Sequence, residues 1–246
     1  MTDPSTLLAA FDRQARTWFP DWVTVERDGP LLRVTELDDS DFITYPDLGG
    51  LTGADLDALI DRQRRGRQVE WKTYAHDEPA DLGDRLRAAG FEPEERETVV
   101  VGAVASVAAA LPVLPEGVRA REVTARADLD RAVSDRPHLA GSLEREIAAD
   151  PTGITVVVAE ADGEVVSSAW VRFLHGTAFA TLWGGWTAPD WRRRGIYRAL
   201  VTYRARLAHA RGFTLLQVDA MDTSRPILEK MGFVAVTTTT PYVYTP

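Results

Sequence analysis

The chain contains no cysteine. That absence removes disulfide bridges, thiolate nucleophiles and cysteine zinc sites together. Histidine is scarce: the four residues are scattered with no His-x-x-x-His spacing, so no metal is expected on a helix face. No basic segment leads into an apolar core at the start, because Met1 to Ala15 already carries Asp3, Asp12 and Arg13. Export is therefore not expected, and the cytoplasm is the expected compartment. Val99 to Leu114, about 16 residues interrupted by Gly102 and Pro112, falls short of the roughly 20 that a membrane span needs. It reads as a strand running into a linker. Neither Gly-x-x-x-x-Gly-Lys-Ser/Thr nor Gly-x-Ser-x-Gly occurs, which leaves no P-loop and no serine-hydrolase elbow.

What is present describes a globular protein: 246 residues, 45% hydrophobic, 26% charged and 9% aromatic, enough for one large domain or two small ones. Charge is unevenly spread. Residues 1–115 hold 12 Arg and Lys against 22 Asp and Glu, and residues 116–246 hold 16 against 15. A net charge of −9 argues against nonspecific binding of nucleic acid or anionic membrane, both of which need basic patches.

Periodicity organises the second half. Val118 to Thr124 reads as a strand, and Asp128 to Val133 and Ser142 to Ala149 as two short helices. The break between them, Ser134 to Gly141, is a natural pocket wall. Ile154 to Ala159, the Asp162-Gly163 turn and Val165 to Leu174 form a hairpin, and Phe179 to Thr187 adds a third strand. Ile196, Leu200, Tyr203, Leu207 and Ala210 then fall on one face of a helix that ends at Gly212. Phe213 to Val218 is a buried strand, Ser224 caps a short helix with Pro226 in its first turn, and Phe233 to Tyr244 is β-rich. The order is β-α-α-β-β-β-α-β-α-β.

The first half echoes the end of that series. Val69 to Ala75 reads as a strand, Asp81 to Ala89 as a helix and Thr98 to Val101 as another strand. A leucine stands four residues before Gly-Phe in both halves, Leu86 and Leu228, as in a diverged internal repeat. Pro112 to Pro115 marks the boundary, giving domains 1–115 and 116–246.

One stretch carries chemistry: Trp186-Thr187-Ala188-Pro189-Asp190-Trp191-Arg192-Arg193-Arg194-Gly195-Ile196-Tyr197 joins a strand to an amphipathic helix through a basic turn. A helix start presents unpaired N–H groups and a dipole that favours an anion, so Gly195 beside three arginines forms a pyrophosphate site. The other reading of Arg192, Arg193 and Arg194 is a solvated surface run, or a site for another phosphate. Their position between an apolar strand end and a helix-opening glycine separates the two.

The stretch resembles the acyl-CoA-binding signature of the GNAT superfamily of N-acyltransferases, Arg/Gln-x-x-Gly-x-Gly/Ala, here Arg192 to Tyr197. The element order of the second half is similar to the family's, and Ile227 to Phe233 resembles its last helix running into Gly-Phe. The resemblance implies an α/β (α+β) fold with a mixed central sheet flanked by helices, preceded by a smaller partial GNAT-like half. It implies acetyl-CoA as donor, with the turn from Arg193 through Arg194, Gly195 and Ile196 to Tyr197 holding the pyrophosphate. Trp186 and Thr187 would meet the pantetheine arm at a strand end that splays from Phe213 to Val218. Transfer would be direct attack of a neutral amine on the thioester, with no metal and a small-molecule primary amine as acceptor.

Three positions depart from the family pattern. Tyr197 replaces the loop's last Gly/Ala, Leu228 stands where many members place a tyrosine acid, and about Thr181 where some place a glutamate base. Asp219, Ser224 and Tyr242 are the candidates for the vacant roles, with Asp222, Tyr244 and His138 behind them. Asp219 also reads as a loop-flanking carboxylate and Ser224 as a plain N-cap. Trp183 and Trp186 read either as the acceptor-pocket floor or as core. In the first half the corresponding loop, Tyr45 to Asp55, has glycines but no arginine, and Asp47 and Asp55 would repel a pyrophosphate. The acidity of that half either concentrates a cationic amine or only keeps the chain soluble. The expected protein is a monomer or homodimer, and the alternative function is a catalytically inactive CoA-binding regulatory protein.

Overall fold

The computed structural model describes residues 3–35, 40–123 and 125–246. The elements begin with α1 (Pro4–Gln14), β1 (Thr24–Asp28), β2 (Leu31–Thr35), β3 (Asp41–Thr44), α2 (Gly53–Gln63) and β4 (Val69–Tyr74). They continue with α3 (Leu82–Ala88), β5 (Glu92–Pro93), β6 (Glu97–Ala103), α4 (Val104–Ala108), β7 (Val118–Val123), α5 (Arg126–Ala132) and α6 (Leu139–Ala149). After them come β8 (Ile154–Ala161), β9 (Glu164–Phe173), β10 (Phe179–Thr187), a 3-10 turn (Pro189–Trp191) and α7 (Ile196–Ala210). The chain ends with β11 (Leu215–Ala220), α8 (Arg225–Lys230) and β12 (Val234–Tyr244). From β7 onward the helices and strands follow the expected order, and Thr124, the expected end of the first strand, lies outside the described residues.

Two units emerge. Unit 1 comprises Met1–Val99, Asp219–Arg225 and Ala235–Pro246, and unit 2 comprises Val100–Val218 and Pro226–Val234. This division departs from a linear boundary after Pro115. The reason lies in the last strand of each half. β12 pairs antiparallel with β4, from Thr239 opposite Tyr74 to Tyr244 opposite Val69, which ties the C-terminus to unit 1. The end of β6 and helix α4 join unit 2, where the Val104 amide donates to the Thr214 carbonyl at 2.9 Å.

Unit 1 orders its strands β1-β2-β3-β4-β12, with β5 against β12. The β3–β4 pair is parallel, joined through α2. The core of this unit gathers Tyr45, Leu56, Ile60, Trp71, Leu86, Phe91 and Tyr242. Unit 2 orders its strands β11-β10-β9-β8-β7. β10–β11 is the parallel pair, joined through the 3-10 turn and α7. The unbroken apolar run of β8 follows from covering both faces of its sheet. Val156 and Val158 meet Leu129 and Leu143 on one face, and Val157 and Ala159 meet Ile196 and Leu200 on the other.

The echo between the halves is geometric as well as sequential. The Phe91 amide donates to the Leu86 carbonyl at 3.0 Å, and the Phe233 amide to Leu228 at 3.1 Å. Gly90 (φ 87°) and Gly232 (φ 94°) supply the left-handed residue that such a helix ending requires. Two expectations are corrected. α6 starts at Leu139, so the break before it spans residues 133–138 and not Ser134 to Gly141. The stretch after Val99 is not simply a strand and linker, because residues 104–108 form helix α4 with Val104, Val107 and Ala108 buried at helical spacing.

Candidate active site

The site in unit 2 is built where β10 ends and α7 begins. Arg193 (φ 61°) and Gly195 (φ 83°) turn the chain, and α7 starts at Ile196 with Gly195 as its N-cap. No side chain caps this end and no acid stands in its first turn. Its leading amides therefore face outward with the positive end of the dipole uncompensated. A side chain at Gly195 would meet nothing within 4 Å, so this glycine serves backbone conformation and an open approach, not packing. Of the three arginines, Arg192 turns back and donates from Nε to the Thr187 carbonyl at 3.0 Å. Arg194 stacks over Trp191, 4.8 Å from the ring centroid, and Arg193 is exposed. Beside the turn lies a cleft of about 490 Å³ whose lining includes Arg194, Arg198, Lys230, Val107, Leu111 and Met231. Uncapped amides, adjacent guanidinium groups and a cleft with apolar and cationic walls fit a ligand with a pyrophosphate and a ring system.

β10 prepares the other half of the site. Its register against β9 slips between Trp183 and Trp186, where Gly184 (φ 62°) and Gly185 form a bulge. Its ladder with β11 covers only Phe179/Leu215 to Thr181/Gln217, so the strands part beyond Thr181, as expected of the splay. At the strand end, Ser167 donates to the Trp186 carbonyl at 2.5 Å and its hydroxyl lies 2.9 Å from that of Thr187. Both residues are thus fixed from the β9 side. Trp183 is 37% exposed and donates its indole N–H to Thr181 Oγ1 at 2.7 Å, which occupies the hydroxyl at the family's base position. Leu228 is fully buried.

The structure places all eight of the donor-site residues in unit 2 and Asp219, Ser224 and Tyr242 in unit 1. Asp219 accepts from the buried Lys72 ammonium at 2.5 Å, so its charge is already matched. The Ser224 hydroxyl donates to the Met221 carbonyl at 3.1 Å and shapes the turn. Tyr242 is a core residue whose ring takes a cation–π contact from Arg87 at 5.4 Å. Tyr244 takes one from Arg64 at 5.0 Å, and His138 and Asp222 are exposed.

Sequence reasoning missed Glu97, which lies 3.8 Å from Lys72 Nζ. Burial pushes its carboxyl up to about 7, with Asp219, Glu70 and Glu94 reinforcing the shift against the pull of Lys72. Burial pulls the Lys72 ammonium down, but Asp219, Tyr74, Glu70 and Glu97 together outweigh it and the net shift is upward. No local signal marks this cluster, since Lys72, Glu97 and Asp219 come from three distant segments. In the first half, Asp55 occupies the first turn of α2 and the Asp47 carboxylate accepts from the Gly49 amide at 2.7 Å. That helix start carries its own negative charge. Among the described residues no group of three or more His, Cys, Asp or Glu could hold a metal ion, and no helix is long and apolar enough to cross a membrane.

Comparison with known proteins agrees with this geometry. The model of the Acetyltransferase (GNAT) family matches residues 122–233. No curated protein matches the chain. Among solved structures, a functionally unknown conserved protein from Staphylococcus epidermidis shares the fold over 96% of this chain and 97% of its own, with TM-score 0.68 and 12% identity. A GCN5-related N-acetyltransferase from Kribbella flavida does so over 100% and 96%, with TM-score 0.64 and 15% identity. A tandem GNAT protein from the clavulanic acid biosynthesis pathway does so over 93% and 85%, with TM-score 0.61 and 11% identity. The donor turn lies inside the matched segment, and residues 122–233 form an acyltransferase domain of the GNAT family.

Proposed function

We propose that unit 2 takes acetyl-CoA as donor and transfers the acetyl group to a primary amine of a small molecule. The observation that carries this reading is the uncapped, acid-free start of α7 beside Arg193 and Arg194. The pyrophosphate lies against the amides from Arg193 to Tyr197, and the pantetheine arm runs back along Trp186 and Thr187 toward the bulge. The neutral amine then adds to the thioester carbonyl carbon, the C–N bond forms as the C–S bond breaks, and the added nitrogen loses its proton to water. The net charge of −9 favours an acceptor that arrives as a cation. The shared strand-helix-strand pattern of the two units supports an origin by duplication in which only the C-terminal copy kept a donor turn.

Thermal unfolding of the full chain with and without acetyl-CoA tests this. Donor held at about 100 times its dissociation constant adds roughly 2.7 kcal/mol of stability to the wild type, and nothing to an Arg193→Glu/Gly195→Asp variant. A wild type that does not respond overturns the proposal. A second reading, a CoA-binding regulatory protein without catalysis, is favoured by the burial of Leu228 and the occupied Thr181 hydroxyl. It shares the thermal response and differs in releasing no CoA with any amine.

A further inference from the structure

Acyl transfer leaves a thiolate that needs a proton, and Leu228, fully buried, offers none. A tyrosine stands elsewhere in the same unit. Tyr197 lies in the first turn of α7, and its ring reaches the β10 bulge: a Cβ on Gly185 would come within 2.8 Å of it. Glycine at 185 is therefore what admits this ring. The phosphate-binding amides are at one end of the residue and the bulge is at the other, with Trp186 and Thr187 between them in the chain. A pantetheine arm running along that strand end brings its sulfur toward the bulge, where the tyrosine sits.

Two turns further along the same helix is Arg204, 1% exposed. Its guanidinium donates to the main-chain carbonyls of Leu200 (3.1 Å), Trp170 (3.0 Å) and Trp183 (3.2 Å). Trp170 and Trp183 are the last facing pair before the register slips, so Arg204 clamps both strands at the bulge. Among the described residues no carboxylate pairs with it. Burial pulls this guanidinium down to about 10, and the ionisable group that offsets this is the Tyr197 phenol.

We propose that Tyr197 is the catalytic proton donor to the departing CoA thiolate, and that Arg204 is a positioning residue that holds the bulge against which the Tyr197 ring packs. The inference rests on the acyl-transfer reading. As the C–S bond breaks, its electron pair stays on sulfur, the Tyr197 Oη proton moves to that sulfur, and the phenolate regains a proton from solvent.

The test uses the full chain, acetyl-CoA and hydroxylamine, a small nucleophile uncharged at neutral pH, with CoA thiol release as the readout and acetyl-CoA affinity measured separately. Tyr197→Phe keeps the ring on Gly185. It lowers kcat about 100-fold or more, while KM and affinity for acetyl-CoA stay within about threefold. Arg204→Lys keeps the charge without the fork and lowers kcat about tenfold, with no further loss on top of Tyr197→Phe. Tyr203→Phe, on the same helix, is unchanged. A Tyr197→Phe enzyme within about threefold of wild-type kcat overturns the inference alone, as does a variant whose whole loss is in donor affinity. A wild type that binds acetyl-CoA and releases no CoA overturns it together with the transfer reading. A wild type that does not bind removes the donor assignment beneath both.

Discussion

At the scale of single residues, the Glu97 carboxyl carries the sharpest consequence for stability. Its folded-state value near 7 exceeds the ordinary glutamate value near 4.5. Below that ordinary value both states are protonated and nothing is lost. Between about 4.5 and 7 the unfolded chain releases the proton first, so stability falls as pH rises through this window and levels off above it. With partial solvent screening, about 1–2 kcal/mol is at stake. Glu97→Gln removes the slope, so urea titrations at pH 4.5 and 7.5 should show the variant gaining on the wild type by that amount. An unchanged difference at the two pH values would remove the buried-acid account. Asp219 illustrates the same physics from the other side: its sequence position suits an amine acceptor, yet the Lys72 ammonium at 2.5 Å already satisfies it. Nothing near Asp219 in sequence announces a lysine from β4, which is why charge pairing escaped a reading based on local pattern.

At the scale of elements, the β10 bulge is the feature on which the site depends. A Cβ at Gly184 would stand 1.8 Å from the Trp170 ring, on a residue with φ 62°. Gly184→Ala therefore forces either the bulge or the indole to move, at a cost of about 3 kcal/mol or more from overpacking and left-handed strain together. A lowered Tm and lost acetyl-CoA response are expected. Gly195→Ala, with φ 83° but no atom within 4 Å, costs only about 1–2 kcal/mol and serves as the comparison. Equal melting temperatures for the two variants would show that the bulge yields freely. The bulge was legible only as a Gly-Gly pair in an aromatic strand. By contrast, β8 to β10 and α7 were readable because their apolar spacing follows one period over many residues. Helix α4 was not, since five residues inside an apolar stretch are too few for their helical spacing to stand out. Residues 1–68 yielded little beyond the Tyr45 to Asp55 loop, because short strands such as β1 are exposed and polar where pairing alone defines them.

At the scale of the whole molecule, the chain passes between the two units at Val99, Val218, Arg225 and Val234, so no single cut separates them. The proline-rich stretch near residue 115 marks a change in composition. What it does not reveal is that β12 belongs with β4 and that α4 belongs with α7, because strand and helix partners are tertiary choices that composition does not encode. Two fragments of similar length distinguish the divisions. Residues 116–246 contain the family-matched segment but lack α4, leaving the α7 surface it covers open to water, and they carry β12 without β4. Each buried valine lost from such a flank costs about 1.5 kcal/mol or more, and Tyr242 becomes a solvated aromatic. Against a domain stability of roughly 5–15 kcal/mol, those losses are large. Residues 100–234 keep every segment of unit 2 and omit nearly all of β12. Expressed alone, residues 100–234 should melt cooperatively in circular dichroism, and residues 116–246 should show a broad transition and aggregate. If residues 116–246 melt as sharply and at as high a temperature as residues 100–234, the exchanged strand and helix α4 are accessories, and the linear boundary after Pro115 is the true one.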